Sequence, residues 1–182
     1  LKSNTLYFSA HGVNKTIDPY YEHTYKVSLS GGKPKVLNSG NYNTSTQPSD
    51  NHKYFVNNFS RVNTVPKSEL RNSDGSLVMS LEEADLSELF NIGYQFPETF
   101  KAKAEDGITD LYGVMYKPFN FDEKKRYPLL EYVYPGPQTE SVNKSFSVRM
   151  DRLDRMAQLG FVVITLGNRG GHPHRSKWYH NY

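Results

Sequence analysis

Residues 127–134 read Tyr-Pro-Leu-Leu-Glu-Tyr-Val-Tyr, and residues 160–166 read Gly-Phe-Val-Val-Ile-Thr-Leu. Each is a short apolar and aromatic run bounded by Pro or Gly, which is the pattern of a buried strand. Four apolar residues between the runs fall near one face of a helix: Val148, Leu153, Met156 and Ala157. Gly160 would end that helix. Because strand, helix and strand follow one another, we predict two parallel strands joined by a right-handed crossover.

The residues just before this crossover predict a hairpin. Alternate residues from Phe100 to Ala104 are apolar, as in a strand with one buried face. Asp106-Gly107 then supplies a tight turn, and residues 111–116 form the returning strand. We expect the hairpin and the crossover to form one unit of mixed α/β structure over residues 97–182.

The first half of the chain is predicted to be β-structure in two similar units. Residues 6–8 (Leu-Tyr-Phe) recur loosely at 53–55 (Lys-Tyr-Phe), about 47 residues later, and Gly-containing turns at 31–32 and 74–75 follow the two copies. This spacing lies in the roughly 40 to 50 residue range of four-stranded propeller blades. We therefore predict about two propeller-type blades over residues 1–96, with a simple β-meander as the alternative.

The predicted connection between the two halves is helical. Ser80 and Glu83 have the spacing of a capping box, and Gly93 follows the last apolar residues, so we predict a short helix within residues 80–93. Glu82 and Glu83 would then lie in its first turn, where the helix dipole favours acids. We interpret this acidic pair as part of the helix start and not as catalytic carboxylates.

Composition excludes several classes of function. The formal net charge of +3 comes from interspersed acids and bases, so we predict no nucleic-acid partner. The absence of cysteine removes disulfides, thiolate zinc sites and a cysteine nucleophile. The longest nearly uncharged apolar run, residues 159–166, is far shorter than the roughly 20 residues of a membrane-spanning helix, so we expect no integral membrane segment. The sequence begins at Leu1 with neither an initiator Met nor the pattern of a leader, which indicates either that a signal was removed or that the chain was cut from a longer protein. We expect the second, and we call the longer protein the parent below.

The predicted parallel strands also indicate where a ligand would bind. In open α/β sheets, ligands bind beyond the carboxyl ends of the strands, which here means after Tyr134 and after Leu166. The first of these loops, residues 134–138, reads Tyr-Pro-Gly-Pro-Gln, and such a constrained backbone suits the presentation of a donor to a developing negative charge. The same residues are also ordinary strand terminators, so this pattern leaves both interpretations open.

Five motifs in the second half follow one another at characteristic distances: Leu-Tyr-Gly-Val-Met-Tyr-Lys-Pro at 111–118, Tyr-Pro-Leu-Leu at 127–130, Val-Tyr-x-Gly-Pro at 133–137, Gly-Phe-Val-Val at 160–163 and Asn-Arg-Gly-Gly at 168–171. In order and spacing they resemble the start of the peptidase domain in the prolyl oligopeptidase clan, and within it the dipeptidyl peptidase IV family. The resemblance implies the end of an eight-bladed β-propeller and the N-terminal part of an α/β-hydrolase domain, truncated before the nucleophile.

The function implied by this resemblance is that of a serine exopeptidase. It would release amino-terminal dipeptides from peptides, with Pro or Ala preferred as the second residue, and it would need no metal and no organic cofactor. The Tyr of the family's Val-Tyr-x-Gly-Pro motif donates its hydroxyl to the oxyanion, and Tyr134 is the matching residue. The resemblance also favours a periplasmic or secreted location, and a parent that can form a homodimer.

The rest of the catalytic machinery is absent from these 182 residues. No Gly-x-Ser-x-Gly motif occurs in the sequence, and family order places Ser, Asp and His beyond Tyr182. We therefore expect this chain alone to be inactive. Pro135 and the Gly-Gly-His-Pro-His run at 170–174 depart from the pattern of many relatives, which indicates a divergent subfamily.

Three alternatives remain open. The first is another peptidase of the same clan, such as an acylaminoacyl peptidase. The second is a metal site on three histidines of the last segment, since His-x-His on a loop can present two nitrogens to one ion: His172, His174 and His180. The third is a non-catalytic binding module whose contact surface is built from four tyrosines: Tyr7, Tyr20, Tyr21 and Tyr25.

We predict that the isolated 182-residue chain self-associates or is partly disordered. An incomplete propeller and an incomplete hydrolase sheet would both leave unpaired strand edges, which pair readily with other chains. Size-exclusion chromatography with light scattering, followed by thermal melting, tests this expectation. A compact monomer that melts cooperatively would contradict it.

Overall fold

The computed structural model describes residues 4–134, 136, 139–147 and 152–181. Within them the chain is mostly antiparallel β-sheet with few helices, and no sheet closes into a barrel. It divides into two compact units. The first unit comprises the residues up to Arg61 together with Val65–Ala84, and the second comprises Val62–Thr64 and the chain from Asp85 onward.

The first unit contains two antiparallel sheets. The smaller sheet has the order β1-β2-β3, with these bounds: β1 Thr5–His11, β2 Glu22–Ser28 and β3 Lys35–Val36. The larger has the order β4-β5-β6-β7: β4 Asn43–Pro48, β5 Tyr54–Ser60, β6 Lys67–Asn72 and β7 Leu77–Glu83. These strands and the turns between them confirm the hairpins that the sequence predicts in each repeat. Phe8 lies opposite Tyr25 across β1 and β2, and the two rings stack with their centroids 5.8 Å apart.

A buried polar network ties the strands of the first unit together. Asn38 is fully buried, and its Oδ1 accepts a hydrogen bond from the Thr24 backbone N–H at 2.8 Å. Its Nδ2 donates to Thr44 Oγ1 at 3.0 Å and to Asn57 Oδ1 at 2.9 Å. Thr44 Oγ1 donates in turn to the Glu22 carbonyl at 2.7 Å. One asparagine therefore bonds to β2, β4 and β5 at once, and so joins the two sheets.

The helix predicted within residues 80–93 is wrong over its first half. Ser80, Glu82 and Glu83 lie in β7, which pairs with β6, and Glu83 forms an exposed ion pair with Lys67 at 3.0 Å. The capping box fails because backbone pairing with β6 holds this segment extended. The helix α1 is only Ser87–Asn91, which leaves the acidic pair outside its first turn.

The C-terminal end of α1 agrees with the prediction. Gly93 has a φ of +89°, a backbone conformation that Gly adopts without strain, and its N–H donates to the Phe90 carbonyl. Tyr94 follows and is buried, and burial raises the pKa of its hydroxyl to about 12. Its ring makes edge-on contacts with Phe96 and Phe119, which holds this segment onto later residues of the same unit.

The second unit contains one four-stranded sheet with the order β10-β11-β9-β8. Its elements are β8 Glu98–Lys103, β9 Asp110–Tyr116, β10 Leu129–Tyr132, α2 Arg152–Gln158, β11 Val162–Leu166 and α3 Lys177–His180. β8 and β9 form the predicted antiparallel hairpin, and β10 and β11 form the predicted parallel pair. The α2 helix lies between the parallel strands in sequence, as expected, while Val148 of the predicted helical face lies outside the described residues.

The core of the second unit lies where α2 packs on the sheet. Val114 of β9 and Val163 of β11 are almost fully buried, and Ala157 of α2 is fully buried against them. The strand predicted over residues 129–134 is present as β10, but the prediction that it is buried is wrong. β10 ends at Tyr132 and is an edge strand of the described sheet, so Leu129 keeps 64% of its surface exposed.

None of the helices in the described ranges is long and apolar enough to cross a membrane.

Replacement of Asn38 by Ala should destabilise the first unit strongly. The change leaves the Thr24 N–H and the Asn57 Oδ1 buried without their partner, and each such group costs about 1–3 kcal/mol. We expect the free energy of unfolding in urea, followed by circular dichroism, to fall by at least about 2 kcal/mol. The matched control is Asn4→Ala, an exposed asparagine that donates to Ser30, for which a change within about 0.5 kcal/mol is expected. Equal effects of the two substitutions would contradict this role for the network.

Candidate functional site

The two strand ends chosen from the sequence meet at one edge of the sheet in the second unit. β10 and β11 run parallel, with Tyr132 of β10 opposite Thr165 of β11. Their carboxyl ends therefore lie side by side, and the chain leaves both strands at the same edge. We call residues 133–143 the first loop and residues 167–176 the second loop; Pro135, Pro137 and Gln138 of the first loop lie outside the described residues.

Tyr134 lies on the first loop, two residues beyond the end of β10, and 55% of its surface is exposed. Among the described residues, its hydroxyl has no hydrogen-bond partner. The residue borders an open cavity of about 330 Å³ whose lining is part polar and part apolar: Tyr132, Tyr134, Thr139, Glu140, Ser141, Asn143 and Leu153. A phenolic O–H in this position is free to donate to a group that enters the cavity.

The two loops pack against each other without space for a further methyl group. A Cβ atom on Gly167 would lie 2.5 Å from Glu140 Oε2, and one on Gly171 would lie 2.9 Å from the carbonyl oxygen of Thr139. Both distances are far below an ordinary van der Waals contact. Glycine at these two positions therefore lets the backbone of the second loop touch the first loop.

Side chains of the first loop also bind to the sheet beneath it. The hydroxyls of Ser141 and Thr165 are 3.3 Å apart, and Thr165 is fully buried in β11. Asn143 Nδ2 donates to the Tyr116 hydroxyl at 3.2 Å. Glu140 Oε1 accepts the Val142 backbone N–H at 3.0 Å, which fixes the carboxylate on its own loop.

The second loop is held by hydrogen bonds to its own backbone. The Asn168 carbonyl accepts the Tyr179 hydroxyl at 2.6 Å and the Gly171 N–H at 3.1 Å. His180 Nδ1 lies 3.1 Å from the Gly170 carbonyl. Gly167 begins the loop, and its N–H donates to the Tyr112 carbonyl of β9 at 3.1 Å.

An ion pair joins the second loop to the β8–β9 turn. Asp106 Oδ1 accepts the backbone N–H groups of Ile108 and Thr109, and Oδ2 accepts the Thr109 hydroxyl at 2.6 Å and the Arg169 guanidinium. The Thr109 hydroxyl, the two backbone N–H groups and the nearby Arg169 lower the pKa of the Asp106 carboxyl to about 2. The carboxylate is therefore ionised at any pH above about 3, and the ion pair is present throughout the neutral range.

The histidines of the last segment do not form the metal site considered from the sequence. The rings of His172 and His174 lie 5.2 Å apart, while His180 contacts the Gly170 carbonyl. Across residues 4–134, 136, 139–147 and 152–181, no three His, Cys, Asp or Glu side chains form a group that could hold a metal ion.

The tyrosine surface considered for a binding module is also not present. Tyr20, Tyr21 and Tyr25 are buried, with at most 7% of their surface exposed, and only Tyr7 is open to solvent. Tyr25 faces inward because alternate side chains of β2 are buried, whereas Tyr20 and Tyr21 are buried in the segment that precedes this strand. Burial raises the pKa of Tyr21 to about 12.

A separate cavity in the first unit was not anticipated from the sequence. It has a volume of about 220 Å³, and its mainly apolar wall carries aromatic rings from both sheets, including Tyr7, Phe8, Tyr54 and Phe55. His52 lies at its edge in the β4–β5 turn, with its ring stacked on Tyr7 at a centroid distance of 6.3 Å. These rings come from the two copies of the loose repeat, residues 6–8 and 53–55. The repeat is therefore the sequence signal that could have indicated this cavity.

Comparison with known proteins gives a consistent result. Residues 1–66 match the family model described as the dipeptidyl peptidase IV N-terminal region. Human dipeptidyl peptidase 8 is 31% identical over 161 residues, which cover 84% of this chain and 18% of that protein.

Fungal relatives match over more of the chain. A probable dipeptidyl-aminopeptidase B of Arthroderma otae is 31% identical over 179 residues, and that of Trichophyton verrucosum is 29% identical over 177 residues. Each alignment covers 93% of this chain, whereas the chain spans less than a fifth of the length of these relatives. The family model and the relatives point to the same family, and the chain belongs to the dipeptidyl peptidase IV family.

Proposed function

We propose that the parent is a serine-type dipeptidyl peptidase that releases amino-terminal dipeptides with Pro or Ala as the second residue. Relatives named as dipeptidyl peptidases and a dipeptidyl-aminopeptidase support the reaction class. The nucleophile Ser, its Asp and its His would come from residues of the parent outside this chain, since no Gly-x-Ser-x-Gly motif occurs within it. This chain alone would then have no hydrolytic activity.

The observation that carries the proposal is the placement of Tyr134. The residue lies two positions beyond the carboxyl end of a parallel strand, it is exposed and lines a cavity, and within the described residues its hydroxyl has no hydrogen-bond partner. Attack of a serine on a peptide carbonyl places a negative charge on the carbonyl oxygen. A preorganised O–H donor stabilises that charge more than it stabilises the neutral carbonyl, and so lowers the barrier.

The packing of the two loops supports the same role. A donor accelerates the reaction only if it is held where the charge develops. The first loop is bonded to the sheet through Ser141 and Asn143, and it touches the backbone of the second loop at Gly167 and Gly171. We propose that this contact keeps the Tyr134 backbone in one position during the reaction.

We also propose a place for each unit in the parent. The four-stranded antiparallel sheet β4–β7 has the strand number of a propeller blade, and β1–β3 would belong to the blade before it. The sheet of the second unit, with its hairpin followed by a strand, a helix and a parallel strand, would begin an α/β-hydrolase domain. Dimerisation of the parent remains a prediction, and light scattering on the parent would test it.

One observation favours a second candidate, a module that binds a partner without catalysis. The cavity in the first unit has walls of Tyr7, Tyr54 and Phe55, and aromatic side chains are common where proteins bind partners.

A panel of substrates discriminates between a dipeptidyl peptidase, an acylaminoacyl peptidase and a binding module. A dipeptidyl peptidase cleaves a Gly-Pro amide with a free amino terminus, an acylaminoacyl peptidase cleaves a blocked alanine amide, and a binding module cleaves neither.

Replacement of Tyr134 by Phe in the parent should lower kcat for a Gly-Pro chromogenic amide by about 10²–10³-fold, because one oxyanion donor is removed. KM should change little, since the donor acts mainly on the transition state. The matched control is Tyr132→Phe, which removes a second hydroxyl at the same cavity and should change kcat by less than about 3-fold. The isolated 182-residue chain should show no turnover.

The outcomes of this experiment separate the proposals. If both phenylalanine variants keep full activity and the same melting temperature as the parent, the oxyanion role of Tyr134 is wrong. If the intact parent cleaves neither of the two substrates, the peptidase proposal itself is wrong and the binding module becomes the better proposal.

A further inference from the structure

We propose that Asp106 is a positioning residue for the proposed oxyanion donor. It lies in the β8–β9 turn, and it would act on Tyr134 through Arg169 and the contact between the two loops. The inference rests on the proposed peptidase function where it concerns rate. The structural part, that Asp106 orders both loops, can be tested without any activity.

The first step is the fixed orientation of the carboxylate. Oδ1 of Asp106 accepts the N–H groups of Ile108 at 2.9 Å and Thr109 at 2.8 Å, which closes the turn. Oδ2 accepts the Thr109 hydroxyl and is directed at Arg169. Oδ1 therefore bonds only within the turn, whereas Oδ2 bonds both to the Thr109 hydroxyl of the turn and to the second loop. Only 14% of the side chain is exposed, so water competes weakly for these bonds.

The second step is the attachment of the second loop. Arg169 binds Asp106 through Nη1 and donates from Nη2 to the Trp178 carbonyl at 3.3 Å. Arg169 thus links the start of the second loop to α3, the helix that follows this loop. Arg169 is 63 residues from Asp106 in sequence, so this pair fixes the loop to a distant part of the same unit. Charge-assisted bonds of this kind are shorter and stronger than neutral ones.

The third step leads from the second loop to Tyr134. Gly171 packs against the Thr139 carbonyl so closely that a Cβ atom there would lie 2.9 Å from the oxygen. The Thr139 N–H donates to the Gly136 carbonyl at 3.4 Å, and Gly136 is two residues from Tyr134. A shift of the second loop would therefore move the backbone that carries the phenol. An error of about 1 Å in such a group can cost roughly 10²-fold in rate.

The chemistry of Asp106 offers a variant that separates its two tasks. In Asp106→Asn, the amide oxygen can still accept the two backbone N–H groups that close the turn. The amide nitrogen takes the place of Oδ2. It is a donor, and the Arg169 guanidinium is also only a donor, so the two groups cannot form a hydrogen bond. The turn is retained and the bond to Arg169 is lost. Arg169→Gln removes the same bond from the other side.

A second carboxylate of the same hairpin provides the control. Asp110 pairs with Lys103 at 2.6 Å, is 40% exposed, and both residues of this pair lie on the hairpin itself. Asp110→Asn therefore removes an ion pair of the same kind from the same hairpin without touching Arg169. Exposed pairs of this type contribute little to stability.

The experiment combines hydrogen exchange with a double-mutant cycle on the parent. In Asp106→Asn we expect amide exchange to rise at least about 10-fold in peptides covering 139–143 and 168–171, with β9 and β11 unchanged. We expect kcat for the Gly-Pro amide to fall roughly 10-fold to 10²-fold at similar KM. In a Tyr134→Phe background the same substitution should lower kcat by less than about 2-fold, because the donor it positions is gone. Arg169→Gln should reproduce these changes and Asp110→Asn should not.

Each outcome decides the proposal. Unchanged exchange in both loops overturns it, as does an unchanged kcat in an active parent. A loss of kcat that is equally large in the Tyr134→Phe background also overturns it, because Asp106 would then act on another group. If the parent has no peptidase activity, the proposed function fails. Raised exchange at 139–143 and 168–171 then still supports Asp106 as the residue that orders the loops.

Discussion

The parallel pairing of β10 with β11 is the constraint on which the rest of the second unit depends. Two parallel strands cannot be joined by a tight turn, so the chain must cross back, and α2 is part of that connection. The crossover buries Ala157 against Val163 and forms the core. It also brings both strand ends to one edge, which is why residues far apart in sequence meet there. The core and the proposed site therefore have the same geometric origin.

Much of this fold could be predicted from local pattern. The alternation of apolar residues from Phe100 to Ala104 predicted β8, and the apolar run at 160–166 predicted β11. Both patterns are local, because they reflect which faces of a strand are buried. The capping-box signal at Ser80 and Glu83 failed because local propensity was overridden by pairing with β6. The exposure of Leu129 could not be predicted, since it depends on the position of β10 at the edge of the sheet.

The candidate site could be predicted only in outline. The rule that ligands bind at the carboxyl ends of parallel strands indicated the two loops, and the motif at 133–137 indicated Tyr134. The groups that hold those loops were not predicted. Asp106 and Arg169 are 63 residues apart, and nothing near either one in sequence specifies the other. The Asp-x-x-Thr pattern at 106–109 signals a closed turn, but the bond from Asp106 Oδ2 to Arg169 is revealed only by the tertiary structure.

The contact of Gly167 with Glu140 and of Gly171 with Thr139 has a consequence for which residues of this chain can change. The second loop contacts the first loop through the glycines Gly167 and Gly171, which have no side chains. Substitution on the second loop therefore cannot reshape this contact without moving the backbone. A change in the shape of the cavity beside Tyr134 would have to come from a lining residue outside that contact, such as Tyr132. The contact between the loops is thus fixed by packing, whereas part of the cavity wall is open to selection.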